Sequence, residues 1–167
     1  MKSPTQVHRN ARKLNRTLHL ASDNAGKTGE LAVAAGRVIS HRMTLGTKAL
    51  MNPAAADHAE FSRMIPEKIG AFSEAGSIWL RWSGRIADQV ARYVRREMAL
   101  ADNAVAAVAG CRSPAGLVAL QQQAATDWLE RVWSQSLSLG ALVMRSQGAA
   151  LAPVLRTATA NVHRLDR

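Results

Sequence analysis

From Ala54 to Ala109, apolar side chains recur at steps of three, four and seven: Phe61, Ile65, Phe72, Ala75, Trp79, Trp82, Ile86, Val90, Val94, Met98, Ala101, Val105 and Val108. Such a period lines one face of an α-helix and is incompatible with a strand, whose side chains alternate between faces. Pro66 interrupts the stripe, which predicts either a short helix followed by a long one or a kink. The 44 residues from Pro66 to Ala109 would reach roughly 66 Å as straight helix, longer than a compact domain of this size is wide. Phe61, Ile65, Phe72, Trp79, Trp82, Ile86 and Val90 are the candidate seam of this segment. Arg81, Arg85, Asp88, Arg92 and Arg95 fall on the opposite face, where a solvated surface is the simplest reading.

Glycine and proline divide the rest. A first helix is expected over about Thr28 to Met51, ending where Pro53 disfavours helix at Asn52, with Pro53 opening the next helix. In "GCRSPAG", Gly110 terminates one helix, Ser113 caps the next and Pro114 takes its first position. That third helix, to about Arg145, carries Val118, Ala125, Leu129, Val132, Leu139 and Val143 on one heptad-like seam, widened by Leu117, Leu120, Trp128 and Leu142. Beyond it, "SQGAALAPVLRTATANVHRL" is expected to break at Gly148 and Pro153 and then return to helix. The segments "RVISHRMTLG" and "RVWSQSLSLG" share five residue types, a likeness that an Ala- and Leu-rich chain produces by chance.

The fold class expected is all-α: an elongated helical hairpin or a bundle of long amphipathic helices with coiled-coil-like packing. With two Phe, one Tyr and four Trp in 167 residues, any core is built mostly from Ala, Leu, Val and Met, a mixture that favours helix. The organisation expected is a basic, disordered arm over residues 1–27 and a helical domain over 28–167.

Net charge is +10, and the first 28 residues hold six Lys or Arg against one Asp. Arg9, Arg12, Lys13 and Arg16 are therefore candidates for contact with nucleic acid or another anionic surface, the alternative being a solvated tail. The arm's composition also fits a transit peptide, while no apolar segment follows it as a signal peptide requires. No run approaches the length of a transmembrane helix. A lone Cys111 rules out an intrachain disulfide and agrees with a reducing compartment.

Catalytic chemistry has little to build on. Gly26-Lys27-Thr28 looks like the end of a phosphate-binding loop, but Ala21 stands where its first glycine belongs, and the upstream residues are basic and polar where a buried strand is required. His8, His19, His41, His58 and His163 are scattered, and no Glu-x-x-His pair occurs. His58-x-Glu60 resembles the start of a zinc deaminase signature, whose Pro-Cys-x-x-Cys partner one cysteine cannot supply. Neither an enzyme nor a cofactor site is expected.

What the sequence offers instead is helix without charge. No Asp, Glu, Lys or Arg lies between Ser113 and Thr126, between Val132 and Met144, or between Ser146 and Leu155. A soluble helix keeps charge on its outer face, so these segments are expected either to be buried between subunits of a homo-oligomer or to lie on something apolar. The candidate surface comprises Leu117, Leu120, Trp128, Leu129, Val132, Trp133, Leu139, Leu142 and Val143. Trp128 and Trp133 suit a boundary between apolar and wet phases, since the indole ring buries area while its N–H keeps a polar partner.

"RVISHRMTLGTKALMNPAAADHAEFSRMIPEKIGAFSEAG", "SPAGLVALQQQAATDWLERVWSQSLSLG" and "GAALAPVLRTATANVHRL" together resemble the bacterial phasins, which coat polyhydroxyalkanoate storage granules. The likeness spans about Leu31 to Leu165. It rests on the Asn-Pro and Ser-Pro helix starts, on Glu-Lys-x-x-Ala-Phe at Glu67 to Phe72, and on Ala152-Pro153. Phasins are often acidic or near neutral, and the arm before Thr28 has no counterpart in that pattern. The resemblance implies a non-enzymatic, oligomerising helical protein on granules in a bacterial cytoplasm, controlling their surface, size and number. The alternative is a basic nucleoid-associated or DNA-binding helical adaptor that meets phosphate through the arm and the Arg81 to Arg95 stripe.

Overall fold

The computed structural model describes residues 4–166. Three long helices make up nearly all of them: α1 (Pro4–Met51), α2 (His58–Ala109) and α3 (Pro114–Leu165), with a 3-10 turn at Pro53–Ala55 between the first two. The chain is all-α, with no strand among the described residues. Its helices pack into two compact units: one joins residues up to Leu18 with Ser83–Val143, the other joins His19–Trp82 with residues from Met144 onward.

The direction of packing is read from the partners. In the first unit the Lys13 ammonium donates to Ser134 Oγ at 2.7 Å, and Thr17 Oγ1, which donates to the Lys13 carbonyl at 3.0 Å, lies 3.5 Å from the Leu137 carbonyl, pairs separated by 121 and 120 residues. In the second, Asn24 Nδ2 donates to the Met144 carbonyl at 2.7 Å, again 120 residues away. Within the first unit the Lys13–Ser134 and Thr17–Leu137 pairs run in the same direction, so α1 and α3 are parallel there; Asn24 with Met144 and His41 with Asp166 show the same within the second. In the second unit, Arg156 with Glu74 and Arg164 with Glu67 mark α2 as antiparallel to α3, and in the first Arg131 pairs with Glu97 across the same two helices.

The Gly110–Pro114 boundary forms as expected: Ser113 Oγ accepts the Gly116 N–H at 3.1 Å, and Pro114 is the first helical residue. Pro53 differs from expectation, opening the 3-10 turn, while α2 starts at His58, where Asp57 Oδ1 accepts the Glu60 N–H at 2.9 Å. Pro66, Gly148 and Pro153 break no helix. Pro66 is exposed, so water reaches the backbone it leaves short of a donor; Pro153 is fully buried and Gly148 is buried, and packing there overrides helix propensity.

The first helix begins at Pro4, not near Thr28. Over its first half the buried and half-buried positions are Gln6, Asn10, Lys13, Thr17, Leu20, Asn24 and Lys27, alternating in steps of four and three, with Ala21 beside Leu20. That is a regular heptad seam made mostly of polar residues. Leu31, Ala34, Val38, His41 and Leu45 continue the same steps, and Ala34 and Val38 form a small core with Val162, Ala158 and Leu165.

Beside this core lies a four-residue charge cluster. Arg42 of α1 pairs with Glu60 at 3.0 Å and Glu67 at 3.5 Å on α2, and Arg164 of α3 pairs with both glutamates. Glu60 is only 5% exposed. A carboxylate that deep requires compensating cations, so the cluster fixes the register of three helices at once.

Candidate hydrophobic interaction surface

On α2 the buried and half-buried positions include Glu60, Met64, Glu67, Ala71, Ala75, Ile78 and Trp82 in one unit and Ile86, Gln89, Tyr93 and Glu97 in the other. Most of them sit one residue before a member of the apolar stripe, a rotation of roughly 100° around the helix. The ion pairs between helices lie on this same face. Arg42, Arg164 and Arg131 approach α2 from the other helices, and the face that meets them is the one holding Glu60, Glu67 and Glu97.

The stripe is thereby left largely in solvent. Phe61, Ile65, Phe72 and Trp79 are exposed in the unit that contains them, Ile65 and Phe72 by more than 60%. Val90, Val94, Met98, Val105 and Val108 are exposed in the other. Of the seam residues, only Trp82 and Ile86 are half-buried.

The uncharged stretches of α3 divide into two kinds. From Val132 to Met144, and from Ser146 to Leu155, most residues are buried or half-buried within their own unit. Absence of charge there serves packing inside the chain. From Ser113 to Thr126 most residues are exposed, with Gly116, Leu117 and Leu120 half-covered. Among the remaining candidates Val132, Leu139 and Leu142 are half-buried, and Trp128, Leu129, Trp133 and Val143 are exposed.

Three grooves gather these residues. In the first unit, Val90, Val94 and Met98 of α2 face Trp128, Val132 and Leu139 of α3 across about 580 Å³. Trp128 also lines a groove of about 440 Å³ with Leu100, Ala101 and Leu120. In the second unit, α1 contributes Ile39 and Met43 and α2 contributes Met64 and Phe72 to a groove of about 470 Å³. Ile39, Met43 and Met64 escaped the sequence reading, although Ile39 and Met43, four apart on α1, already show helical spacing. Trp133 stands apart, in a smaller cleft with Val7 and Leu14 of α1.

The basic residues of α1 do not act as one group. Arg9, Arg12 and Arg16 are exposed at steps of three and four, on one helix face. Lys13 points inward to Ser134, and burial, followed by repulsion from Arg9, lowers its pKa. Elsewhere, hydrogen bonding from Arg164 holds the Glu67 carboxyl below the usual range and raises the Arg164 guanidinium in turn. The hydrogen bond to Glu97 likewise raises Arg131.

Among the described residues, no helix is long and apolar enough to cross a membrane, and no three His, Cys, Asp or Glu side chains gather as a metal site would require. The profile of the phasin protein family matches residues 59–157. Neither the curated proteins nor the solved structures yield a match. The matched span covers most of α2 and the greater part of α3, the helices that carry the exposed stripe and the uncharged face. The chain belongs to the phasins, a family of structural, granule-associated proteins.

Proposed function

We propose that this phasin coats polyhydroxyalkanoate granules in the cytoplasm, and by covering their surface controls granule size and number. The observation that carries the reading is the apolar stripe of α2, left exposed while a more polar face of the same helix is packed. A fully buried Val or Met gains roughly 1.5–3 kcal/mol on leaving water, so a few such residues hold a helix on polymer. Off the granule, the same faces serve contacts between copies of the chain.

The test replaces Val94 and Met98, both exposed and both lining the groove with Trp128, by Gln, which preserves helicity. Partition onto lipid-free polyester particles should fall by about tenfold or more, since each change removes on the order of 1 kcal/mol of apolar burial. Light scattering on the same protein reports oligomer mass. A variant that coats particles as the parent does, at unchanged mass, refutes the role of this face.

A second reading rests on the exposed Arg9, Arg12 and Arg16. Three guanidinium groups on one face of α1 suit phosphate contact along a duplex. Replacing Arg12 and Arg16 by Gln should weaken DNA binding and flatten its salt dependence by about one unit of slope per lost phosphate contact. An unchanged slope discards this reading.

A further inference from the structure

A further groove of the first unit differs in chemistry from the three apolar ones. It encloses about 560 Å³ and is lined by Gln89, Arg92, Tyr93 and Arg96 of α2 and by Gln135 and Ser138 of α3. No carboxylate lines it. Among the described residues neither Arg92 nor Arg96 forms an ion pair, whereas Arg131, on the facing helix of the same unit, is matched to Glu97 at 2.8 Å. Gln135 adds an independent sign, because its Nε2 is buried and has no hydrogen-bond partner. A buried donor left unmade costs on the order of 1–3 kcal/mol, and a turn of the Gln135 side chain into the groove would let it join both guanidinium groups on an oxyanion there.

The position of this groove narrows the ligand further. Tyr93 and Gln135 also line the apolar groove of Val90, Val94, Met98 and Leu139, so the cationic pocket and the apolar channel share a wall. We propose that they form one amphiphile site: the phosphate of an anionic phospholipid lies between Arg92, Arg96 and Gln135, with an acyl chain along Val94, Met98 and Leu139. Free phosphate would use the first half of this site alone. A nucleic acid would leave the apolar half empty.

The experiment is co-sedimentation with vesicles of phosphatidylcholine alone and of an equal mixture with phosphatidylglycerol. The parent protein should favour the mixed vesicles, and Arg92→Gln with Arg96→Gln should weaken that binding about 25-fold, at about fivefold per cation near an anionic surface. Arg37→Gln with Arg63→Gln, which removes the same charge at exposed positions elsewhere, should leave it within about twofold, the range left by distant exposed charges that salt screens. Gln135→Leu, which keeps the bulk and removes the donor, should weaken it too, with helicity checked by circular dichroism for every variant. Equal losses in the two double variants would show a diffuse field and overturn the site. So would displacement by inorganic phosphate or glycerol phosphate at matched ionic strength, which would mean an ion site only. Loss of duplex DNA binding without loss of vesicle binding would assign the pocket to nucleic acid. The coating proposal fails separately, through Val94→Gln with Met98→Gln on lipid-free polyester.

Discussion

Gly148 of α3 lies tight against Asn24 of α1: a β-carbon placed on it would collide with the Asn24 side-chain oxygen, while the same amide's nitrogen donates to the Met144 carbonyl. Gly148→Ala is expected to destabilise the fold by about 1–3 kcal/mol through overpacking, read as a lower midpoint in urea. Combined with Asn24→Ala, it should cost less than the sum of the two single changes, because they share one contact. Glu67 gives a pH signature. Its folded-state pKa lies below the ordinary glutamate value of 4.5 because Arg164 donates to it, so its contribution is present above that value and is lost as pH falls through the lower one. Glu67→Gln should therefore flatten the acid limb of a stability-versus-pH curve and leave its shape above neutrality unchanged. Neither residue was legible in the sequence. Gly148 reads there as a helix breaker and Glu67 only as the start of the Glu-Lys-x-x-Ala-Phe stretch, because what decides each is a partner about 100 residues or more away.

Among the helices, α2 shows best what the pattern of residues does and does not convey. The period of three and four announced helix on both sides of Pro66, where an interruption or kink was expected and one helix instead runs on, and the Ser113-Pro114 start of α3 was plain. The inward face of α2 was misleading, because apolar periodicity marks the face that seeks an apolar partner, and here the chain's own helices take the face carrying Glu60, Glu67 and Glu97. The first half of α1 was hidden for the same reason, with a seam of Gln6, Asn10, Lys13, Thr17 and Asn24 in regular register but without hydrophobic contrast. Its packing makes a prediction. Removing residues 1–27 strips Lys13 from Ser134 and Asn24 from Met144 and uncovers Leu137. The shortened protein should lose more ellipticity than the deleted helix accounts for. Its thermal midpoint should fall several degrees, at about 2–4 °C per kcal/mol. A midpoint unchanged by the deletion would show that this half of α1 adds nothing to the fold.

For the whole chain, a net charge of +10 coexists with exposed apolar helix faces, and salt separates their effects. Raising ionic strength from about 0.05 to 0.5 M shortens the screening length from over 10 Å to under 5 Å. Binding to anionic vesicles should weaken steeply over that range, while coating of polyester particles should hold or improve. Pelleting assays on the two surfaces in parallel would show whether the slopes differ. The parallel pairing of α1 with α3 also orders events in time. The partners of Thr17 and Asn24 lie 120 residues further along the chain, which at 5–20 residues per second of synthesis is roughly 6–24 s later. Throughout that interval α1 exists without the helix that covers it. The stripe of α2 also leaves the ribosome whole before its neighbour α3 is finished, so a nascent chain presents its stickiest surface to its surroundings before it can close on itself.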